Sequence, residues 1–143
     1  MYQRDYILRL IERFGRMLIA LRNRILNREA ESAPAQAELH DIAREAGLDL
    51  DFARRLDPEM LLQWLAPTGE VDEAKFWLLG ELLYLAGLEA EGRSEADGGA
   101  ADFSRSLAVF SRVRADWRPH ADLASAGERS LELTRRLDAL RKR

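Results

Sequence analysis

Apolar residues along this chain recur at spacings of three and four, and no stretch alternates with a period of two. That periodicity places side chains on one face of an α-helix and predicts no strand. It yields five principal helices with one or two short connecting ones. The first spans 4–29 and carries Tyr6, Ile7, Leu10, Ile11, Phe14, Met17, Leu18, Leu21 and Ile25 as one continuous apolar stripe. A thinner line lies off that stripe: Leu8, Gly15, Ile19 and Leu26. One stripe can face a core, but two need two neighbours, either another helix of the chain or a second copy.

Residues 31–36, with Pro34, read as a break. The second helix runs to Ala46, buries Leu39, Ile42 and Ala43, and is closed by Gly47. Residues 48–56 form a connector with room for one helical turn. Asp57-Pro58-Glu59 is a start signal, since Asp caps, Pro fits the first turn and Glu suits the positive end of the dipole. That short helix stops at Leu65. A fourth main segment spans 71–91, and GRSEADGG at 92–99 reads as a polar loop. The next helix spans 101–115 and buries Phe103, Leu107, Val109, Phe110 and Val113. The last spans 119–142, with a bend at Gly127 or a fresh start capped by Ser125-x-x-Glu128. The chain, 1–143, is thus expected to be one all-α domain with a helix pair at 71–115.

The segment FWLLGELLYLAGLEAEG, 76–92, is apolar nearly all round and belongs at the centre of a helical stack. A mid-helix glycine costs about 1 kcal/mol relative to alanine. Gly80 therefore predicts a point where a neighbouring helix crosses closely, and Gly87 either a second crossing or a bend. Glu81 is expected at the segment's wet edge, or paired with an arginine of the first or fifth helix, because buried charges are usually paired.

Composition narrows the chemistry. The chain lacks cysteine, which removes disulfides, thiolate metal sites and cysteine nucleophiles. Charged residues interrupt the first apolar stretch, and no apolar run reaches the roughly 18 residues of a membrane helix, so a cytoplasmic protein is expected. The net charge of −3 conceals a basic block at 1–29, an acidic block at 30–102 and a basic block at 103–143. Such blocks either neutralise one another internally or leave a basic surface for an anionic partner. Arg9, Arg13 and Arg16 share the polar face of the first helix and are the residues a nucleic acid or other anion would meet. His40 and His120 lack the spacing of metal ligands. No phosphate loop or nucleophile–base motif is present, and Trp64, Trp77 and Trp117 read as core or rim residues.

With Gly80 as the small residue, Phe76 and Leu79 occupy the large apolar positions of a tetratricopeptide repeat, and Ala101 and Ala108 match the alanines of its second helix. Leu83 stands where that family usually has tyrosine, and Arg105 where it has an aromatic. The whole chain resembles a group of short, uncharacterised bacterial helical proteins with tetratricopeptide-like structure. The resemblance is carried by Tyr2-Gln3-Arg4-Asp5-Tyr6-Ile7 with Ile11-Glu12, by Gly47-Leu48-Asp49-Leu50, and by Leu56-Asp57-Pro58-Glu59 before Leu61-Leu62. It implies a helical stack and no particular activity. Repeats of that family that grip a peptide's C-terminal carboxylate use Lys and Asn where this chain has Trp77 and Glu81, so no such clamp is expected. The sequence thus points to a non-catalytic interaction protein without cofactor or metal. It is expected to be a homodimer with Leu8, Ile19 and Leu26 near the interface. An anion- or nucleic-acid-binding regulator is the alternative.

Overall fold

The computed structural model describes residues 2–28 and 31–142. They form seven helices: α1 (Tyr2–Leu26), α2 (Ser32–Glu45), α3 (Leu50–Ala53), α4 (Pro58–Leu65), α5 (Glu73–Gly92), α6 (Ala96–Phe110) and α7 (Ala126–Arg141). No strand occurs among the described residues. The expected end of the first helix at Glu29 lies outside them.

Local chemistry sets most boundaries. Asp49, Asp57 and Asp72 each accept a hydrogen bond from a backbone N–H three residues on, opening α3, α4 and α5. Gly47 closes α2 with φ at +73°, and the Leu48 N–H reaches back to the Ala43 carbonyl at 2.9 Å.

Four boundaries differ from the periodicity, one being the end of α6 at Phe110 rather than at 115. Pro34 does not break the chain, because it sits in the first turn of α2, where a helix needs no N–H from it. GRSEADGG is only partly a loop, since α6 begins at Ala96 and takes both Gly98 and Gly99. The last helix begins at Ala126 rather than 119. Ser125 and Glu128 form a reciprocal capping box there, and the preceding backbone bonds elsewhere: Trp117 and Ala115 carbonyls accept from Ala126 and Gly127 at 3.0 and 2.8 Å.

Every residue of α5 from Phe76 to Ala90 is buried. α6 runs antiparallel along it. A Cβ added at Gly80 would lie 2.8 Å from the Phe110 ring, and one at Gly87 would lie 2.6 Å from Phe103 and 3.2 Å from the Gly99 carbonyl. Both glycines are therefore crossing points. Ser106 seals the first crossing by donating to the Gly80 carbonyl at 2.7 Å. The atoms nearest Gly80 belong to Phe110, while Ala101 and Ala108 are half-buried. Arg105, in place of an aromatic, donates to the Leu56 carbonyl at 2.7 Å. Beside it, Arg54 forks onto the buried Asp102 carboxylate at 3.1 and 2.9 Å, fastening α3 to α6.

α5 also carries α1, whose buried line is Ile7, Leu10, Ile11, Leu18, Leu21 and Ile25. The nine-residue stripe is wider than the face α5 can cover. Tyr6 and Met17, on its flank, are 47% and 42% exposed. α2 runs antiparallel to α1, joined by Tyr6 donating to the Glu45 carbonyl at 3.0 Å and by Arg24 to Glu38 at 2.7 Å. Between α2 and α3, His40 places Nδ1 2.7 Å from the Gln36 carbonyl and Nε2 2.9 Å from the Asp51 carboxylate. Both partners only accept, so the geometry holds an imidazolium. Burial opposes the charge, yet these two bonds outweigh it and raise the His40 pKa.

Gly80→Ala and Gly87→Ala are expected to lower Tm. Overpacking costs about 1–3 kcal/mol, against about 1 kcal/mol that alanine returns by helix propensity. Thermal unfolding checks this, with Gly87→Ala the worse because backbone as well as a ring blocks it. For His40, a raised native pKa means its stabilisation is fully present below the unfolded-state pKa of about 6.5. It is lost as pH rises through the native value. NMR titration should give His40 a pKa above the ordinary range, and Asp51→Asn should lower it.

Candidate functional site

The α5 surface left between α1 and its C-terminal neighbour α7 is the floor of a groove. Both wall helices run in the same direction as α5, with their residues level. Leu18 of α1 lines a cavity of about 340 Å³ together with Glu81 of α5 and Arg129 of α7. One turn on, Arg22 Nε donates to the Tyr84 hydroxyl at 2.8 Å, and that hydroxyl donates to Glu132. Further on, Ile25, Leu26, Leu88 and Glu91 line a second cavity of about 350 Å³. Arg136 of α7 closes that level by donating to Glu91 at 3.2 Å. A third cavity, about 330 Å³, continues the groove towards the N-terminal half of α1 and is lined by Gly15, Arg16, Ile19, His120 and Leu123.

The floor corrects the expectation for Glu81. It is neither at a wet edge nor paired with α1 or α6. It is 3% exposed, and Arg129 of α7 holds it in a bidentate pair at 2.7 and 2.8 Å. The guanidinium also stacks on Tyr84, 4.1 Å from the ring centroid. Burial works against the Arg129 charge, but Glu81 outweighs it and raises the pKa. Burial pushes Tyr84 up to about 12. Burial also opposes ionisation of Glu132, yet bonds from Tyr84 and Arg136 with the Arg129 charge hold its carboxyl below the usual range. Among the described residues no buried side-chain nitrogen or oxygen lacks a hydrogen-bond partner. The polar floor is thus a closed network rather than a set of free acids and bases.

The rim is apolar where α1 borders it. Ile19 and Leu26, 37% and 40% exposed, stand two turns apart on this edge. Leu8 does not join them in solvent; it is half-buried against the core. Gly15, on the same line, is covered by Leu123 of the segment between α6 and α7. Of the arginines, Arg9 is engaged within the chain. Arg13 lies 3.5 Å from Glu45 and over Phe14, and Arg16 lines the third cavity. The structure does not gather these three into one pocket. Arg129, Tyr84, Glu132 and Arg22 are the polar residues that periodicity does not single out. Their signal is faint: Arg129–Glu132 and Glu132–Arg136 are opposite charges three and four apart on one helix.

The charge blocks meet across the fold. Arg24–Glu38, Arg129–Glu81 and Arg136–Glu91 each join a basic residue of an end block to an acid of the middle block. Trp77 is buried and donates its indole N–H to the Ala124 carbonyl at 2.9 Å, pinning the α6–α7 segment over α5. His120 bonds locally to the Asp122 N–H, and no group of three or more His, Asp or Glu among the described residues is placed to hold a metal ion. None of the helices among the described residues is long and apolar enough to cross a membrane.

Fold and groove together define an all-helical protein whose central helix is walled by two parallel neighbours. Comparison with family models, with curated proteins and with solved structures found no match.

Removing one partner of the floor pair should be costly, because it strands a buried charge. Arg129→Met is expected to destabilise by about 3–5 kcal/mol, and the double variant with Glu81→Leu by much less than the sum of the singles. Denaturant unfolding of the four proteins of that cycle measures the coupling. Additive losses would contradict the pairing.

Proposed function

We propose that this is a non-catalytic helical interaction protein that associates with a second copy through the outer edge of α1. The observation that carries the reading is the pair Ile19 and Leu26, large apolar side chains left in solvent beside a groove whose polar groups already satisfy one another. A catalytic site needs an acid, base or nucleophile open to substrate. Here Glu81, Tyr84, Arg129 and Glu132 bind each other instead.

The reading also takes the molecule as a tetratricopeptide-like stack. What supports it is the alternation of direction: α1 and α5 forward, α2 and α6 returning, α7 forward again. The positions that would clamp a peptide carboxylate are closed, with Trp77 bonded to Ala124 and Glu81 to Arg129. A partner is therefore recognised by apolar contact along α1 rather than by its chain end. Leu8 contributes from beneath the edge, and Ile19 and Leu26 make the contact.

Light scattering over micromolar concentrations should give a mass above the monomer's 16.3 kDa, and Ile19→Glu or Leu26→Glu should return it to that value. A wild-type protein that stays monomeric throughout would contradict the reading.

The second reading is an anion- or nucleic-acid-binding regulator. What favours it is that Arg13 and Arg16 are exposed on the same helix, with Arg9 one turn before. Phosphate binding weakens steeply with salt. Titration with duplex DNA at low and moderate salt tests it, and an absence of binding at low salt removes it.

A further inference from the structure

We propose that the cavity bounded by α4, the 66–71 connector and the end of α6 binds a small zwitterion, an α-amino acid with an apolar side chain. The cavity measures about 250 Å³. Phe76 of α5 is buried and forms its floor, with Leu62 of α4 and Val71 of the connector as apolar walls. Glu59 and Gln63 of α4 and Arg112, just beyond the end of α6, supply its polar rim. The connector turns around the cavity where the Gly69 N–H donates to the Ala66 carbonyl at 2.9 Å.

Those polar groups are open to a ligand in a way that the groove floor is not. On the floor, Glu81, Tyr84, Arg129 and Glu132 bind one another. The side chains of Glu59, Gln63 and Arg112 are exposed and make no hydrogen bond or ion pair with any described residue. Glu59 and Arg112 therefore line one cavity as opposite charges too far apart to pair with each other. Glu59 and Gln63 lie one turn apart on the same face of α4.

The two charges select the ligand. A lone cation that meets Glu59 faces Arg112 across the cavity, and a lone anion that meets Arg112 faces Glu59. A molecule carrying both charges satisfies both. The Arg112 guanidinium matches a carboxylate with two parallel N–H donors, and the Glu59 carboxylate accepts from an ammonium. Gln63 adds an amide that can donate or accept beside Glu59. Between the charges the ligand needs an apolar body, because the side chains of Phe76, Leu62 and Val71 offer no hydrogen bond. The cavity is smaller than the roughly 300–1,000 Å³ of pockets for drug-sized molecules, so its occupant is small. An ammonium, a carboxylate and a short apolar side chain on one carbon meet these conditions.

Titration with L-leucine, followed by the NMR shifts of the Gln63, Val71 and Phe76 amides, tests the site. Leucine at millimolar concentration should move these resonances and leave those of Ile19 and Leu26 in place. Leucinamide lacks the carboxylate and N-acetylleucine lacks the ammonium. Each should bind about tenfold more weakly than leucine, because each loses a hydrogen bond to a charged group. Glu59→Gln and Arg112→Met should weaken leucine binding by a similar factor. Neither side chain has a partner in the fold, so both variants should keep the wild-type Tm. No shift with leucine, or equal binding of the three compounds, would overturn the proposal. So would variants that fold normally and bind leucine as the wild type does.

Discussion

A helix buried on every side imposes a condition on everything around it: each polar group it carries must find its partner in a neighbouring helix. α5 is such a helix, and its Glu81 and Tyr84 each take an arginine from a neighbouring helix. Arg129 enters from α7 to neutralise Glu81, and Arg22 enters from α1 to meet Tyr84. Glu132 and Arg136 complete the set. Part of the pairing between the basic ends and the acidic middle of the chain is a consequence of this buried helix. The same burial explains the glycines. α6 can lie close enough to cover α5 only where Gly80 and Gly87 leave room for Phe110 and Phe103.

This arrangement separates what holds the molecule together from what it can offer a partner. The polar residues of the groove are engaged in stability and alignment of three parallel helices. Beside them, Ile19 and Leu26 remain as exposed apolar side chains on the α1 edge. His40 also joins α2 to α3 through the Asp51 carboxylate.

Much of the architecture was legible in the sequence because the signals were local. The aspartate cap of α4, the capping box of α7 and the glycine closing α2 are each readable within four residues. Gly80 was legible for a different reason, since a glycine in an apolar helix needs a steric explanation. The failures share a cause too. Gly98 and Gly99 looked like a loop because composition alone does not distinguish a flexible glycine from one packed against another backbone, as Gly99 is against Gly87. Residues 119–125 looked helical because their alternative bonds, Ala126 to Trp117 and Trp77 to Ala124, span distant positions. Glu81 was recognisable as a residue needing a partner. That the partner is Arg129, 48 residues away, depends on the register of α7 along α5, and no local pattern encodes that.

α5 is the last element to lose its structure, because α1, α2 and α6 pack on it and α7 is bonded to it. Native-state hydrogen exchange resolves this residue by residue. Amides from Phe76 to Ala90 should exchange only with global unfolding, with α4 opening earlier. Protection of α5 no greater than that of α4 would contradict the account.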